Sequence, residues 1–280
     1  MLCDLHTHSC YSDGTLTPFE LVIEAEKAGL GAIALTDHNS VNGLKEFKIA
    51  ADEKNIEAVC GAEFSVDYNG KELHLLGLFI PFGCFDDIAK RLEEVNLDKE
   101  RSNIELAQRL TAAGYDISYD ELKRHHPNCR INRAHFAAAL VVKGYVDSVK
   151  RAFSTLLKPE NGYYSPAMRL DIFEMITYLR SIGAVPVLAH PMIDLSEAEL
   201  AGLLPIAKKS GLAAMETRYS SYDHSTQKRA SDICKSFGLL ESGGSDFHGT
   251  VKPHISLGRG MGDLEVPYSF FEALKKISGR

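Results

Sequence analysis

Short apolar runs alternate with longer amphipathic stretches over most of this chain. The first run, 1–5, leads into Asp4-Leu-His-Thr-His8 and a Gly-containing turn at Ser12-Asp-Gly14. A helix is expected over 19–28, with Thr17 suited to its N-cap, Pro18 to its first turn and Gly29 to its stop. Residues 31–36 (GAIALT) are apolar without alternation, as in a strand buried on both faces, and they end in Asp37-His38-Asn39. A second helix is predicted over about 44–54. Residues 58–62 read as a third strand ending at Glu63. Residues 73–79 read as a fourth, with His74 at its start and Tyr68-Asn-Gly70 as the intervening turn.

The pattern changes at Pro81. Residues 86–113 carry the spacing of one or two charged amphipathic helices stopped by Gly114, and further short helices are expected over 118–126, 133–143 and about 148–157. Strand signals are sparse here, so 82–165 is expected to be a helical insertion that caps the active site of a domain formed by 1–81 and 166–280. Alternation then resumes with a helix over 171–181 and a strand over 185–189 that runs into His190-Pro191. A helix over 196–210, a strand over 213–217 carrying Glu216 and a helix over 225–237 follow. The last strand, 239–242, enters Gly243-Gly-Ser-Asp-Phe-His248, and a final helix covers 270–277. About seven strands alternating with helices predict an α/β chain built as a parallel barrel of βα units rather than an open sheet.

Composition narrows the function classes. With 45% hydrophobic and 25% charged residues, the 280-residue chain reads as an ordinary globular protein. A net charge of −7 argues against a protein that coats nucleic acid. It leaves small anionic substrates open, because divalent ions reverse the sign locally. Six scattered cysteines without a C-x-x-C pair imply reduced thiols and a cytoplasmic location. No basic segment leads into an apolar one at the start, and no apolar run approaches ~20 residues, so neither a secretory signal nor a membrane span is expected.

Candidate ligands gather where the apolar runs end: His6 and His8, Asp37 and His38, Glu63, His190, Asp246 and His248. A barrel of βα units carries its active site at that end of its strands. His74, at the start of its strand, is the exception. Six histidines with Asp13, Glu63 and Asp246 exceed what one ion needs, and this nitrogen and oxygen set suits manganese, zinc or iron. Gly243-Gly-Ser lacks the Lys-Ser/Thr that would make it a phosphate-binding P-loop.

His6-Thr-His8, Asp37-His38, His190-Pro191 and Ser245-Asp-Phe-His248 resemble the four motifs of the PHP (polymerase and histidinol phosphatase) family of metal-dependent phosphoesterases. The resemblance implies a distorted (β/α)7 barrel holding two to three divalent ions (Mn2+, Zn2+ or Fe2+). By it, His6, His8, Glu63 and Asp246 hold one ion, and Glu63 bridges to a second held by His74 and His190. Asp13, His38 and His248 hold a third, although the family often has histidine where this chain has Asp13. In the implied hydrolysis of a phosphomonoester, Asp246 or His248 manages the water proton and His135 protonates the leaving oxygen. Glu216 is expected to support ligands or touch substrate.

Within the insertion, Arg130-Ile-Asn-Arg133-Ala-His135, residues 141–146 and Tyr163-Tyr-Ser-Pro166 resemble one branch of that family. It removes the 3′-phosphate of nucleoside 3′,5′-bisphosphates, and some members trim short RNA from the 5′ end. Arg130, Arg133 and His135, with Asn132 as a neutral donor, have the chemistry of an anion cradle; a solvated helix start is the plainer reading. His125, His126, His224 and His254 are expected at the surface or the substrate rim. The expected partner is a small phosphorylated substrate, a nucleotide or a short RNA 5′ end, with no membrane, stable nucleic-acid or obligate protein partner. Two alternatives compete: a histidinol-phosphate or sugar-phosphate phosphatase, which would not need the cradle, and a non-catalytic metal-binding module, which would have lost ligands.

Overall fold

The computed structural model describes residues 1–54, 56–127 and 129–279. Its first part comprises β1 (Leu2–Asp4), α1 (Pro18–Lys27), β2 (Leu30–Leu35), α2 (Leu44–Lys54), β3 (Glu57–Cys60), β4 (Ala62–Tyr68) and β5 (Lys71–Leu78). Five helices follow: α3 (Phe85–Arg91), α4 (Glu93–Ala112), α5 (Tyr119–His125), α6 (Arg133–Val142) and α7 (Val149–Ser154). The remainder is β6 (Leu170–Asp171), α8 (Ile172–Ser181), β7 (Val185–Leu188), α9 (Pro191–Asp194), α10 (Glu197–Ser210), β8 (Ala214–Tyr219), α11 (His224–Ser236), β9 (Leu240–Gly244) and α12 (Tyr268–Ser278). Local chemistry sets many boundaries. Thr17 with Glu20 and Ser196 with Glu199 form reciprocal capping boxes that start α1 and α10, and Asn132, Asp171 and Asp223 cap α6, α8 and α11.

The fold is α/β with two sheets, one parallel and one mixed, rather than one uniformly parallel array. One sheet is β1-β2-β3, all parallel; the other has the order β6-β4-β5-β7-β8-β9. In the second, β5 runs antiparallel to both β4 and β7, and the other pairs are parallel. The sequence expectation of parallel strands therefore fails at β5, which turns back from β4 through Asn69-Gly70, both in the left-handed region. Glu63 also lies within β4, not at the end of the third strand as expected. The chain breaks at Gly61, where a Cβ would come within 2.8 Å of the Gly77 carbonyl oxygen.

Backbone hydrogen bonds join the two sheets along both flanks. On one side Leu5 N–H donates to Gly243 O at 3.1 Å, Asp246 N–H to His6 O at 2.8 Å and His8 N–H to Phe247 O at 2.9 Å. On the other, Gly61 N–H donates to Leu35 O at 3.0 Å and Asn39 N–H to Glu63 O at 2.8 Å. The first approach needs glycine, because a Cβ on Gly244 would lie 2.4 Å from His6 Cβ.

Both faces of the central strands are buried, which explains their unbroken apolar runs. Ile33, Leu35, Leu75 and Leu188 join the layer beneath the flanking helices, with Phe47, Ile176 and Leu200. Their strand neighbours Ala32, Ala34, Leu76 and Val187 point the other way, packing with Leu5, Val266 and Phe271 of α12. The helices of 82–165 enclose an apolar cluster of their own, including Leu106, Leu110, Leu122, Phe136 and Leu140.

Candidate metal centre

Strand direction brings the candidate ligands to one end of the sheets. His6 and His8 follow β1, His38 follows β2, His190 follows β7, and Asp246 and His248 follow β9, while Glu63 is the second residue of β4. His74 stands near the start of β5, and because that strand is reversed, its start lies at the same end. Ala189 N–H donates to His74 O at 3.1 Å, seating His74 beside His190.

Glu63 is the hub. Its Oε2 lies 3.2 Å from His6 Nε2, 3.3 Å from His8 Nε2 and 3.0 Å from His38 Nδ1. Its Oε1 lies 2.8 Å from His74 Nδ1 and 3.2 Å from His190 Nε2. Asp246 Oδ1 is 3.1 Å from His8 Nε2 and 3.4 Å from His248 Nδ1, and Asp13 Oδ1 is 3.2 Å from His248 Nε2. Four overlapping groups result, each with its ligand atoms within 4.8 Å of one another: His8, Asp13, His38 and His248; His6, Glu63 and His190; His6, His8 and Asp246; His38, Glu63 and His74.

A cation fits this arrangement on its own terms. His6 Nε2, His8 Nε2, Asp13 Oδ1, His38 Nδ1 and Glu63 Oε2 are buried, face one another and make no hydrogen bond. Buried polar atoms left so are costly, at roughly 1–3 kcal/mol each, unless something else satisfies them. Burial opposes ionisation of the carboxyls, yet close imidazole and ammonium neighbours hold all three well below the usual carboxylate range. For Glu63 these are His38, His74 and His6; for Asp13, His248, His38 and His8; for Asp246, Lys252, His248 and His8. Imidazoles and ionised carboxylates are the donors that divalent transition metals take.

A surrounding layer fixes these donors. Glu216 sits 3.1 Å from His6 Nδ1 and accepts the His190 backbone N–H at 2.7 Å, in keeping with the supporting role expected of it. Tyr219 Oη and Lys252 Nζ each donate to Asp246 Oδ2 at 2.7 Å. Asp37 does not face the cluster: it accepts from Ser9 N–H at 2.8 Å and from the Ser9 and Ser12 hydroxyls at 2.6 Å, pinning the loop that carries Asp13. Asp4 does the same for the Ser245–His248 turn, accepting from Ser245 N–H and Gly258 N–H, both at 2.8 Å. Asn39, His190 and Asp246 have positive φ (46°, 27° and 54°), a conformation costly for residues with side chains.

A cleft of about 300 Å³ opens at the cluster, lined by Asp13, His38, His74 and His248 together with Glu72, Lys99, Arg133 and Lys252. The cradle expected from sequence is divided. Arg133 reaches the cleft, paired with Glu72 at 2.8 Å and lying over the Tyr164 ring at 4.5 Å. Asn132 also reaches it, donating from Nδ2 to Asp13 Oδ2 at 2.7 Å. Arg130 lines a neighbouring groove with Tyr119 and Glu100. His135 is buried, with Nδ1 2.9 Å from Asn132 Oδ1, and does not line the cleft. Lys99 and Lys252 escaped sequence reasoning: Lys99 sits in a charged helix that resembles a solvated face, whereas Lys252 follows the last motif closely enough to have been a signal. His125, His224 and His254 are exposed, as expected, and His126 stacks edge-on against His135.

The model of the PHP domain matches residues 4–166. The chain is 31% identical over 246 residues to a 5′-3′ exoribonuclease of Haemophilus influenzae, covering 88% of this chain and 89% of that one. It is 30% identical over 249 residues to a 3′,5′-nucleoside bisphosphate phosphatase of Chromobacterium violaceum, covering 88% and 86%. Among solved structures, one from Bifidobacterium adolescentis assigned as a metal-dependent phosphoesterase superposes with a TM-score of 0.83 at 26% identity, covering 98% of this chain and 96% of its own.

Proposed function

The chain belongs to the PHP domain family of metal-dependent phosphoesterases, and on that premise we propose that it removes the 3′-phosphate of nucleoside 3′,5′-bisphosphates. Trimming of short RNA from the 5′ end breaks the same 3′-oxygen–phosphorus bond, in a diester whose phosphoryl group carries the rest of the chain. The relatives from Chromobacterium violaceum and Haemophilus influenzae carry these two activities in their names. The observation that carries the reading in this chain is that two cationic side chains, Arg133 and Lys99, line the same cleft as Asp13, His38, His74 and His248. A monoester needs only the cluster, whereas a bisphosphate needs a second, non-hydrolysing phosphate site.

We assign His6, His8, Asp13, His38, Glu63, His74, His190, Asp246 and His248 as the ligands of two to three divalent ions, manganese, zinc or iron. Such ions supply Lewis acidity toward phosphoryl oxygens and lower the pKa of water. The remaining work falls to side chains. Arg133 and Lys99 bind the phosphate that is kept, the guanidinium offering a forked pair of donors. Asn132 holds Asp13 in place through its amide. Asp246, kept ionised by its neighbours and oriented by Tyr219 and Lys252, is the proposed acceptor of the water proton.

The two sheets are proposed to act as one distorted (β/α)7 barrel formed by 1–81 and 166–280, with 82–165 as its cap. The hydrogen bonds along both flanks support closure, and the separate apolar cluster of the helices supports a cap. Among the described residues no helix is long and apolar enough to cross a membrane, and the proposed location is the cytoplasm.

The test is phosphate release in the presence of manganese from a nucleoside 3′,5′-bisphosphate, histidinol phosphate and a sugar phosphate, with the nucleotide product identified. The expected result is a preference for the bisphosphate and a nucleoside 5′-monophosphate as product. A preference for histidinol phosphate, or a 3′-monophosphate product, overturns the assignment.

A further inference from the structure

A second group of ligand-bearing side chains lies outside the cleft, in the segment that links α5 to α6. One ligand atom each from His126, Cys129 and His135 lies within 4.8 Å of the other two. His126 ends α5, Cys129 is in the connecting loop and His135 is in the first turn of α6. Cys129 and His135 are buried, and His126 is half-buried. We propose that these three residues bind a single thiophilic divalent cation of the zinc class, at a site separate from the cluster around Glu63.

Three observations support this. The first is an unmet donor: His135 Nε2 is buried and makes no hydrogen bond. The second is the support behind that ring. His135 Nδ1 lies 2.9 Å from Asn132 Oδ1 and 3.1 Å from the Asn132 backbone nitrogen, so Nδ1 finds a partner in either tautomer, and a cation at Nε2 selects the one that donates Nδ1–H to the amide oxygen and leaves the Nε2 lone pair free. Metal-binding histidines are commonly held in that way, by a carbonyl or carboxylate on the far nitrogen. The third is chemical type. Two imidazoles and a thiolate suit zinc, which binds sulfur at about 2.3 Å and nitrogen at about 2.0–2.1 Å. Tetrahedral ligands at those lengths stand roughly 3.3–3.6 Å apart, so the three atoms need draw together by only about 1 Å. A cavity of about 430 Å³ beside His126 and His135 leaves room for water at a fourth position.

Binding requires the Cys129 thiol to lose its proton, which passes to solvent as the sulfur–metal bond forms. The consequence is mechanical. Asn132 stands between the two sites, touching His135 on one side and Asp13 on the other, and Arg133 is its neighbour. An ion at His126, Cys129 and His135 therefore fixes the segment that presents Asn132 and Arg133 to the cleft.

Cobalt(II) titration of the metal-free, full-length protein tests this. A thiolate ligand gives a near-ultraviolet sulfur-to-cobalt charge-transfer band, whereas the nitrogen and oxygen donors around Glu63 give none. The expected result is a band whose final intensity corresponds to one thiolate-bound cobalt per chain, reached with the sites around Glu63 also filled, and lost when zinc is added. Cys129→Ser should abolish the band and reduce total bound cobalt by one per chain. His126→Gln should weaken the titration at least about tenfold. Absence of the band in the wild-type protein at saturating cobalt overturns the proposal, as does a band undiminished in Cys129→Ser. Should Cys129→Ser fail to fold, an unchanged titration in His126→Gln overturns it instead.

Discussion

Arg133→Ala separates recognition of the retained phosphate from the chemistry at the cluster. The guanidinium is less than one-third exposed, 2.8 Å from Glu72, with the Tyr164 ring 4.5 Å beneath it. Its loss from the fold should be modest. Glu72 keeps Arg169 at 3.4 Å, a partly exposed ion pair is worth about 0.2–1 kcal/mol, and the cation–π contact adds about 0.5–1 kcal/mol. At roughly 2–4 °C per kcal/mol for a chain of this size, the melting temperature should fall by only a few degrees.

The effect on substrate should be larger. A charge-assisted hydrogen bond to phosphate contributes about 1.5–3 kcal/mol, or about 10- to 150-fold in kcat/KM. That loss should be seen with the nucleoside bisphosphate and be near absent with p-nitrophenyl phosphate, which has no second phosphate. Arg133→Lys should recover part of it, since the charge returns without the fork. The assay is steady-state phosphate release with both substrates under the same metal loading. Equal losses on the two would place Arg133 on the reacting phosphate and refute the reasoning; no loss on either would make it a structural partner of Glu72.

Two further outcomes follow from the geometry. Glu63→Gln keeps the shape of the hub but removes the charge facing five imidazoles, so bound metal should fall and kcat should drop by more than the roughly 10–100-fold of an outer-layer change; elemental analysis with phosphate release checks this, and a fully metallated, active variant contradicts it. Gly244→Ala forces a Cβ to within 2.4 Å of His6 Cβ, so stability should fall by about 1–3 kcal/mol in denaturant titration, with metal binding weakened alongside, and a variant as stable as wild type would deny the close approach.

Much of this arrangement is legible in the sequence because local chemistry and burial act together there. Thr17 with Glu20 and Ser196 with Glu199 announce helix starts, and runs such as 31–36 remain apolar because both strand faces are buried. Histidines at the ends of those runs could be read as one site for the same reason. The stretch 62–68 carries a strand's period-2 alternation, with Glu63, Ser65 and Asp67 between apolar residues, and a search for unbroken apolar runs passes over it. Missing that strand hides the reversal of β5 and makes His74 look misplaced. The cradle misleads differently. Arg130 precedes the N-cap of α6 and Arg133 occupies its first turn, so three residues of separation send the two guanidinium groups into different cavities. Spacing alone does not carry that information.

The distribution of charge explains how a chain of net charge −7 can serve a polyanionic substrate. Asp13, Glu63 and Asp246 are held ionised, and Lys99 and Arg133 line the same cleft, whereas Lys252 is paired directly with Asp246. Like charges 4 Å apart repel by ~4 kcal/mol at an effective dielectric constant of ~20. The carboxylate set therefore accepts a phosphoryl group only once cations balance it. The lysine and arginine set carries its own positive charge and needs no such balance. Total charge averages these two sets of groups away, and what decides the chemistry is which set each phosphate meets. On the proposed function, one phosphate is retained and the other lost because only the histidine and carboxylate group offers donors for the ions that hydrolysis needs.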